Sequence, residues 1–193
     1  MTDLALGGVL LTLARSAIAE RLGLGSLEIA NHPRLEQPCA SFVTLRQEAQ
    51  LRGCVGSVQV LRTLREDVHA NAIAAAFHDP RFAPLGASEL ATISIEVSLL
   101  SPAQRIAATC AVELLAHLRP GVDGVMLQWR GHRATLLPQV WQHVSDPHEF
   151  LAALKVKAGL PEEFWSEEML FSRYAVTTYA SGRQPTGSTP VSD

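Results

Sequence analysis

The residues best suited to chemistry cluster in LRGCVGS, Leu51 to Ser57. Cys54 stands two positions after Arg52, and in a regular strand that spacing puts both side chains on one face. A guanidinium beside a thiol favours the thiolate, the form that acts as nucleophile or metal ligand. Gly53 and Gly56 leave room for a ligand or another backbone to approach, or they mark a bulge. Arg81, in HDPRF (His78 to Phe82), lies in a turn after a helix and could bind an anion or a carboxylate. Glu96 sits on the polar side of a later strand, where it could orient Arg52 or act as an acid or base. The catalytic reading is therefore Cys54 with Arg52 and Glu96, and the substrate-binding reading is Gly53, Gly56 and Arg81. A plainer alternative stays open for each. Cys54 could be a buried filler beside small residues. HDPRF could be a capping turn begun by Asp79 and anchored by Phe82. Glu96 could be a solvated carboxylate between Ser94 and Ser98.

The remaining chemistry-bearing residues do not form motifs. The seven histidines include no pair at the HExxH spacing of a zinc protease, and Cys39, Cys54 and Cys110 include no CxxC, so no metal site is expected. GxGxxG, GxxxxGK[ST] and GxSxG are absent, which leaves nucleotide-binding and hydrolase readings without a motif and gives no cofactor to expect.

The elements that must position these residues follow from patterning. A chain of 193 residues is long enough to bury a sizeable core as one domain. Leu6, Leu10, Leu13, Ala17 and Leu22 fall at helical spacing. Asp3 stands where a secretory signal would carry positive charge, so an amphipathic helix is expected there. ASFVTLR and LRGCVGSVQV predict a β-hairpin around a QEAQ loop. Thr63 and Glu66 form a capping box opening a helix whose stripe is Leu64, Val68, Ala72 and Ala75, and Asp79-Pro80 closes it near His78. In ATISIEVSLLSP the residues Ile93, Ile95, Val97 and Leu99 alternate with Ser94, Glu96 and Ser98, the period of a half-buried strand.

The second half repeats this order. A helix is expected over Thr109–Leu118. VMLQWRGHRATLLP predicts a second hairpin, with a Gly131-His132 type II′ turn pairing Trp129 with Ala134 and Leu127 with Leu136. Asp146-Pro147 opens another helix. PEEFWSEEML predicts a short helix and FSRYAVTTYA a last strand. Helix, hairpin, helix, strand thus occurs twice, with a seam near Pro102. The implied class is α+β, mainly antiparallel sheet with flanking helices, and an internal duplication is a possibility raised by the order alone. The polar tail 181–193 is expected to be disordered.

Charge and composition exclude some partners. Sixteen Lys and Arg against nineteen Asp and Glu give a net charge of -3. Nucleic acid is therefore not an expected partner, despite Arg46, Arg52, Arg62 and Arg65. No apolar run reaches the ~18 residues of a membrane span, and three widely spaced cysteines suit a reducing cytoplasm.

Taken in order, LRGCVG, DPRFAPL, IEVSLLSP, GVDGVMLQWRGHRATLLPQV and EFLAALKVKAGLPEEFW resemble the AMMECR domain family, over a region running from the first helix to about Ala180. The chain departs from the family pattern at Val55, where isoleucine is usual, and in its short polar tail. The resemblance implies one α+β domain over 1–180, with a larger and a smaller subdomain and a cleft between them. It implies a functional role for the LRGC stretch, here Arg52, Gly53, Cys54 and Gly56, without naming a reaction. It also implies association with a Memo-like protein and a radical SAM protein. Two functions are thus in view: an accessory or adaptor component, or an enzyme using Cys54 as thiolate nucleophile with Arg52, Arg81 and Glu96.

Overall fold

Each apolar stripe read from the sequence meets a sheet. In the computed structural model, which describes residues 3–181 and 186–187, helix α1 (Asp3–Arg21) buries Leu6, Leu10, Leu13 and Ala17. Arg15 leaves that helix to donate to the carbonyls of Leu90 and Ile93 at 2.7 and 3.0 Å, fixing the entry to the strand that begins at Ser94. Helix α2 (Leu64–Phe77) opens on the expected capping box. Thr63 Oγ1 accepts from the Glu66 amide, and the Glu66 carboxylate accepts from the Thr63 amide. Its Leu64, Val68, Ala72 and Ala75 are buried, and it ends at His78.

These helices cover one face of a sheet built from β1 (Ser41–Gln47), β2 (Gln50–Gly56) and β3 (Ser94–Leu100). Strand β1 is central and pairs antiparallel with both neighbours. Val43, Leu45, Ile95 and Val97 face the helices as core. Phe42, Thr44, Arg46, Glu96 and Ser98 occupy the other, half-exposed face. The hairpin turn is tighter than the expected four-residue loop. Glu48 and Ala49 both take positive φ, 49° and 66°, as a two-residue type I′ turn requires, so the strands run on into QEAQ. Buried Asp67 of α2 anchors the far ends of the hairpin. Its carboxylate accepts from the Ser41 amide and hydroxyl, the Ser57 hydroxyl, Arg62 and Asn71.

The second unit has its own core. It contains β4 (Gln104–Ile106), α3 (Ala111–His117), β5 (Gly124–Trp129), β6 (His132–Leu136), α4 (Pro147–Lys157) and β7 (Leu170–Tyr174). Leu114, Val125, Leu127, Phe150, Leu154 and Phe171 are buried there, and Trp141 stacks on Phe150 at 3.8 Å between ring centroids. Asp146 caps α4 with Pro147 at its first turn, as its sequence indicates.

Three expectations are corrected in this half. The β5–β6 turn is Arg130-Gly131, with φ 40° and 90°, a type I′ turn rather than Gly131-His132 as type II′. Trp129 therefore pairs with His132, Leu127 with Ala134 and Val125 with Leu136. The slip is two residues, so each side chain keeps its face. PEEFWSEEML forms turns, not a helix. Its aromatics are fixed outside any helical frame: Phe164 against Trp129, Trp165 against Phe171, and the Trp165 indole N–H on the Thr109 carbonyl. FSRYAVTTYA divides at Ala175 into β7 and β8 (Val176–Ala180), which belong to different sheets.

That division completes a topological repeat. The first sheet has the order β2-β1-β3-β8-β9, where β9 is Thr186–Gly187, and the second has the order β4-β7-β5-β6. In both, the first hairpin strand lies between its hairpin partner and the strand that follows the second helix. Strand β4, which follows β3 in the chain, pairs in the second sheet with β7, while β8, which follows β7, lies beside β3 in the first. The helix-hairpin-helix-strand order that raised the possibility of a duplication recurs as topology, with the two copies exchanging one strand each. Apart from Ser181, Thr186 and Gly187, the tail expected to be disordered lies outside the described residues.

Candidate functional site

The LRGC stretch is the outer strand of its sheet, and two local features decide what its side chains can do. The first is a β-bulge. Leu45 pairs with Gly53 and Arg46 with Leu51, so Arg52 opposes no residue of β1. The regular alternation that would place Arg52 on the face of Cys54 is broken there. Arg52 instead donates two hydrogen bonds to Glu89, Nε to Oε1 at 2.8 Å and Nη2 to Oε2 at 3.2 Å. Its guanidinium carbon stands 6.0 Å from the centroid of the Phe82 ring. Glu89 also accepts the Gly86 amide at 2.7 Å. Hydrogen bonds from Arg52 first, and from Gly86 next, hold its carboxyl below the ordinary range.

The second feature is a side-chain clamp on the strand edge. Asp79 Oδ2 accepts the Cys54 amide proton at 2.9 Å, and Arg81 Nη2 donates to the Cys54 carbonyl at 3.3 Å. Both peptide groups of Cys54 thus point away from β1. Thr44 and Cys54 then form the closely spaced kind of antiparallel pair, in which side chains approach. Accordingly Thr44 Oγ1 donates to Cys54 Sγ at 3.3 Å. Asp79 and Arg81 are bound to each other as well, through Nη2–Oδ2 at 2.7 Å, Nε–Oδ1 at 2.9 Å and the Arg81 amide at 3.1 Å. The Arg81 guanidinium foremost, against the opposing effect of burial, holds the Asp79 carboxyl well below the usual carboxylate range. The amides of Cys54 and Arg81 add to this.

The glycines have distinct duties. A Cβ on Gly53 would lie 2.2 Å from the Ala75 carbonyl oxygen, so the bare Cα lets α2 press against β2. A Cβ on Gly56 would meet the Phe42 ring at 2.2 Å and the Ser41 carbonyl oxygen at 2.6 Å. Both are filled by neighbouring protein atoms rather than open to a ligand.

Glu96 shares the face of Cys54. The row Cys54–Thr44–Glu96 crosses three strands, with Thr44 directly opposite each of the others. Its bond, however, is to Arg46, Nε to Oε1 at 3.2 Å, and not to Arg52. The six sequence candidates therefore separate: Arg81 touches the backbone of Cys54, Arg52 is held by Glu89, and Glu96 by Arg46. Among the described residues, the one hydrogen bond to Cys54 Sγ comes from Thr44. Thr44, Asp79 and Glu89 belong to the site, and residue type alone did not single them out as its members. The signal for Asp79 was the Asp-Pro-Arg turn, which brings a carboxylate and a guanidinium two residues apart against the strand edge.

Cys54 is half-buried, Cys39 buried and Cys110 exposed, and all three are free thiols. No group of three or more potential metal ligands occurs among the described residues, and no helix there is long and apolar enough to cross a membrane.

Comparison with known proteins agrees with the fold and with the family resemblance. A protein of Saccharolobus islandicus strain L.S.2.15 is 37% identical over 169 residues, covering 83% of this chain and 74% of that protein. A protein of Sulfolobus acidocaldarius is 36% identical over 171 residues, covering 84% and 75%. The crystal structure of the uncharacterized protein PH0010 from Pyrococcus horikoshii superimposes with a TM-score of 0.79 at 31% identity, covering 97% of this chain and 98% of that one. The family model described as AMMECR1 matches residues 11–179. The chain belongs to the AMMECR1 family.

Proposed function

We propose that the chain is an accessory binding module, working in the cytoplasm with a Memo-like protein and a radical SAM protein, the partners that the family resemblance implies. One observation carries the reading. None of the charged candidates donates a hydrogen bond to Cys54 Sγ: Arg52 is bound to Glu89, Glu96 to Arg46, and Arg81, which feels the charge of the thiol, has its hydrogen bonds with Asp79 and the Cys54 carbonyl. Such pairs fix the shape of a strand. A nucleophile needs a base or a cation aimed at its own atom. The LRGC stretch on this reading is a rigid element of a recognition surface, and its thiol is a small side chain within it.

Co-expression of the tagged chain with both partner classes tests this. Co-purification of either partner, retained when Cys54→Ser is introduced, supports the proposal. A wild-type chain that captures neither, together with a turnover abolished by Cys54→Ser, overturns it. That outcome would favour the second reading, an enzyme using Cys54 as nucleophile with Arg52, Arg81 and Glu96. The half-exposed sulfur and the Thr44 hydroxyl aimed at it speak for that alternative.

A further inference from the structure

Three ion pairs of the first unit, Arg46–Glu96, Arg62–Asp67 and Arg65–Glu36, rest on a single side-chain contact each, and Arg46 and Glu96 also line a groove. Arg52–Glu89 and Arg81–Asp79 are each joined by two side-chain bonds and reinforced by backbone amides. Arg46 and Glu96 share a single contact, Nε to Oε1 at 3.2 Å, with 39% and 25% of their side chains exposed. Among the described residues, the Arg46 side chain has one further hydrogen bond, a long 3.4 Å contact from Nη1 to the Ala49 carbonyl. Among the described residues, Arg46 Nη2 and Glu96 Oε2 have no hydrogen-bond partner.

Both residues line a groove of about 450 Å³ on the polar face of the sheet. Its other lining residues are Ala49 of the hairpin turn, Ser94 opposite Arg46, Ile95 beside it, and Ala180 and Ser181 at the end of β8. The volume is within the range of small-molecule sites. The tight turn that puts Ala49 at φ 66° leaves only a methyl group at this end of the groove.

Charge balance selects the occupant. A simple anion on Arg46 would face the Glu96 carboxylate, and a simple cation on Glu96 would face the guanidinium. Either would set like charges together, which disfavours binding. A ligand carrying both signs on neighbouring atoms can replace the single Arg46–Glu96 bond with two complementary ones, leaving no charge unpaired. We infer that the groove binds a small zwitterion, a free α-amino acid, its carboxylate on Arg46 and its ammonium on Glu96, with the side chain over Ala180 and Ser181.

The inference does not depend on the partner proposal, because it concerns a separate pair of residues and a separate readout. Its test is a nuclear magnetic resonance titration of the isotope-labelled full chain with a panel of free L-α-amino acids, and with the N-acetyl and methyl ester derivatives of each. The expected result is saturable movement of the Ser94, Glu96 and Ala180 amide signals by at least one amino acid. Both of its derivatives should bind roughly tenfold more weakly or worse, because each lacks one charge. Arg46→Gln and Glu96→Gln should each lose the response while keeping the remaining spectrum. Three results would overturn the inference: no amino acid moves those signals, the derivatives bind as well as their parent, or both variants respond like the wild type. The derivative comparison uses the unaltered chain, so it stands even if a variant fails to fold.

Discussion

Asp79 Oδ2 accepts the amide proton of Cys54 at 2.9 Å, and a carboxylate thereby takes the place a neighbouring strand would occupy. Arg81 completes the imitation by donating to the carbonyl of the same residue. An outer strand with unpaired peptide groups is a template for unwanted pairing. Here the turn after α2 closes that edge at the cysteine and fixes which way its side chain points. The charged residues of the DPRF turn are therefore explained by the backbone of LRGC more than by its thiol.

Removing the clamp should destabilise the chain. Asp79→Ala leaves the Cys54 amide and the Arg81 guanidinium without their acceptor, and chemical denaturation should show a loss of about 1–3 kcal/mol or more. Because the Asp79 carboxyl is held below its ordinary value of 3.8, its contribution is complete above about pH 4 and is lost as pH falls toward the depressed folded value. Stability measured against pH should fall on the acid side in the wild type and fall less steeply in Asp79→Asn. An unchanged acid slope in Asp79→Asn would show that the clamp carries no such linkage.

Gly53→Ala should be worse tolerated than its small volume suggests. The new methyl group would sit 2.2 Å from the Ala75 carbonyl oxygen, a backbone atom that moves only with α2. Overpacking of this kind costs about 1–3 kcal/mol, occasionally more. A thermal melt with a midpoint equal to that of the wild type would show that α2 can retreat from β2 freely.

In the second unit, Tyr174 gives an alkaline counterpart. Burial pushes its phenol up to about 12, against the hydrogen bond with Thr135. A folded value raised above the unfolded 10 means that the stability is present below about pH 10 and is lost as pH rises toward 12. The chain has two tyrosines, so absorbance titration of Tyr174→Phe can be assigned by difference. The late-ionising component should vanish, and the steepest part of the alkaline stability loss with it. Its persistence in Tyr174→Phe would assign it to another group.

Sequence legibility followed the physics of each element. Local, strongly patterned features read correctly: the Thr63–Glu66 box, the Asp146 cap, and the alternation of Ile95, Val97 and Leu99 with Glu96 and Ser98. Errors arose where a distant partner sets the outcome. FSRYAVTTYA has the composition of one strand, and only the sheets on either side of Ala175 divide it. Arg130 adopts positive φ without being glycine, which moves the turn by one residue and the register by two. Phe164 and Trp165 follow aromatic contacts rather than helical spacing. At the site, the Arg52–Cys54 alternation assumed an unbroken ladder, and the bulge opposite Leu45 and Arg46 defeats that assumption. The residues that hold Arg52 and the Cys54 backbone, Glu89 and Asp79, lie 37 and 25 positions away in the chain.

The most direct test of whether LRGC is a recognition element or a thiol catalyst is the order in which the three cysteines alkylate in the folded chain, followed by peptide mass spectrometry at neutral pH. Exposure alone puts Cys110 first, half-buried Cys54 second and buried Cys39 last, with burial also pushing the Cys39 thiol up. The account predicts that order. Alkylation of Cys54 ahead of exposed Cys110 would contradict it, because an activated sulfur is the property the binding-module reading denies.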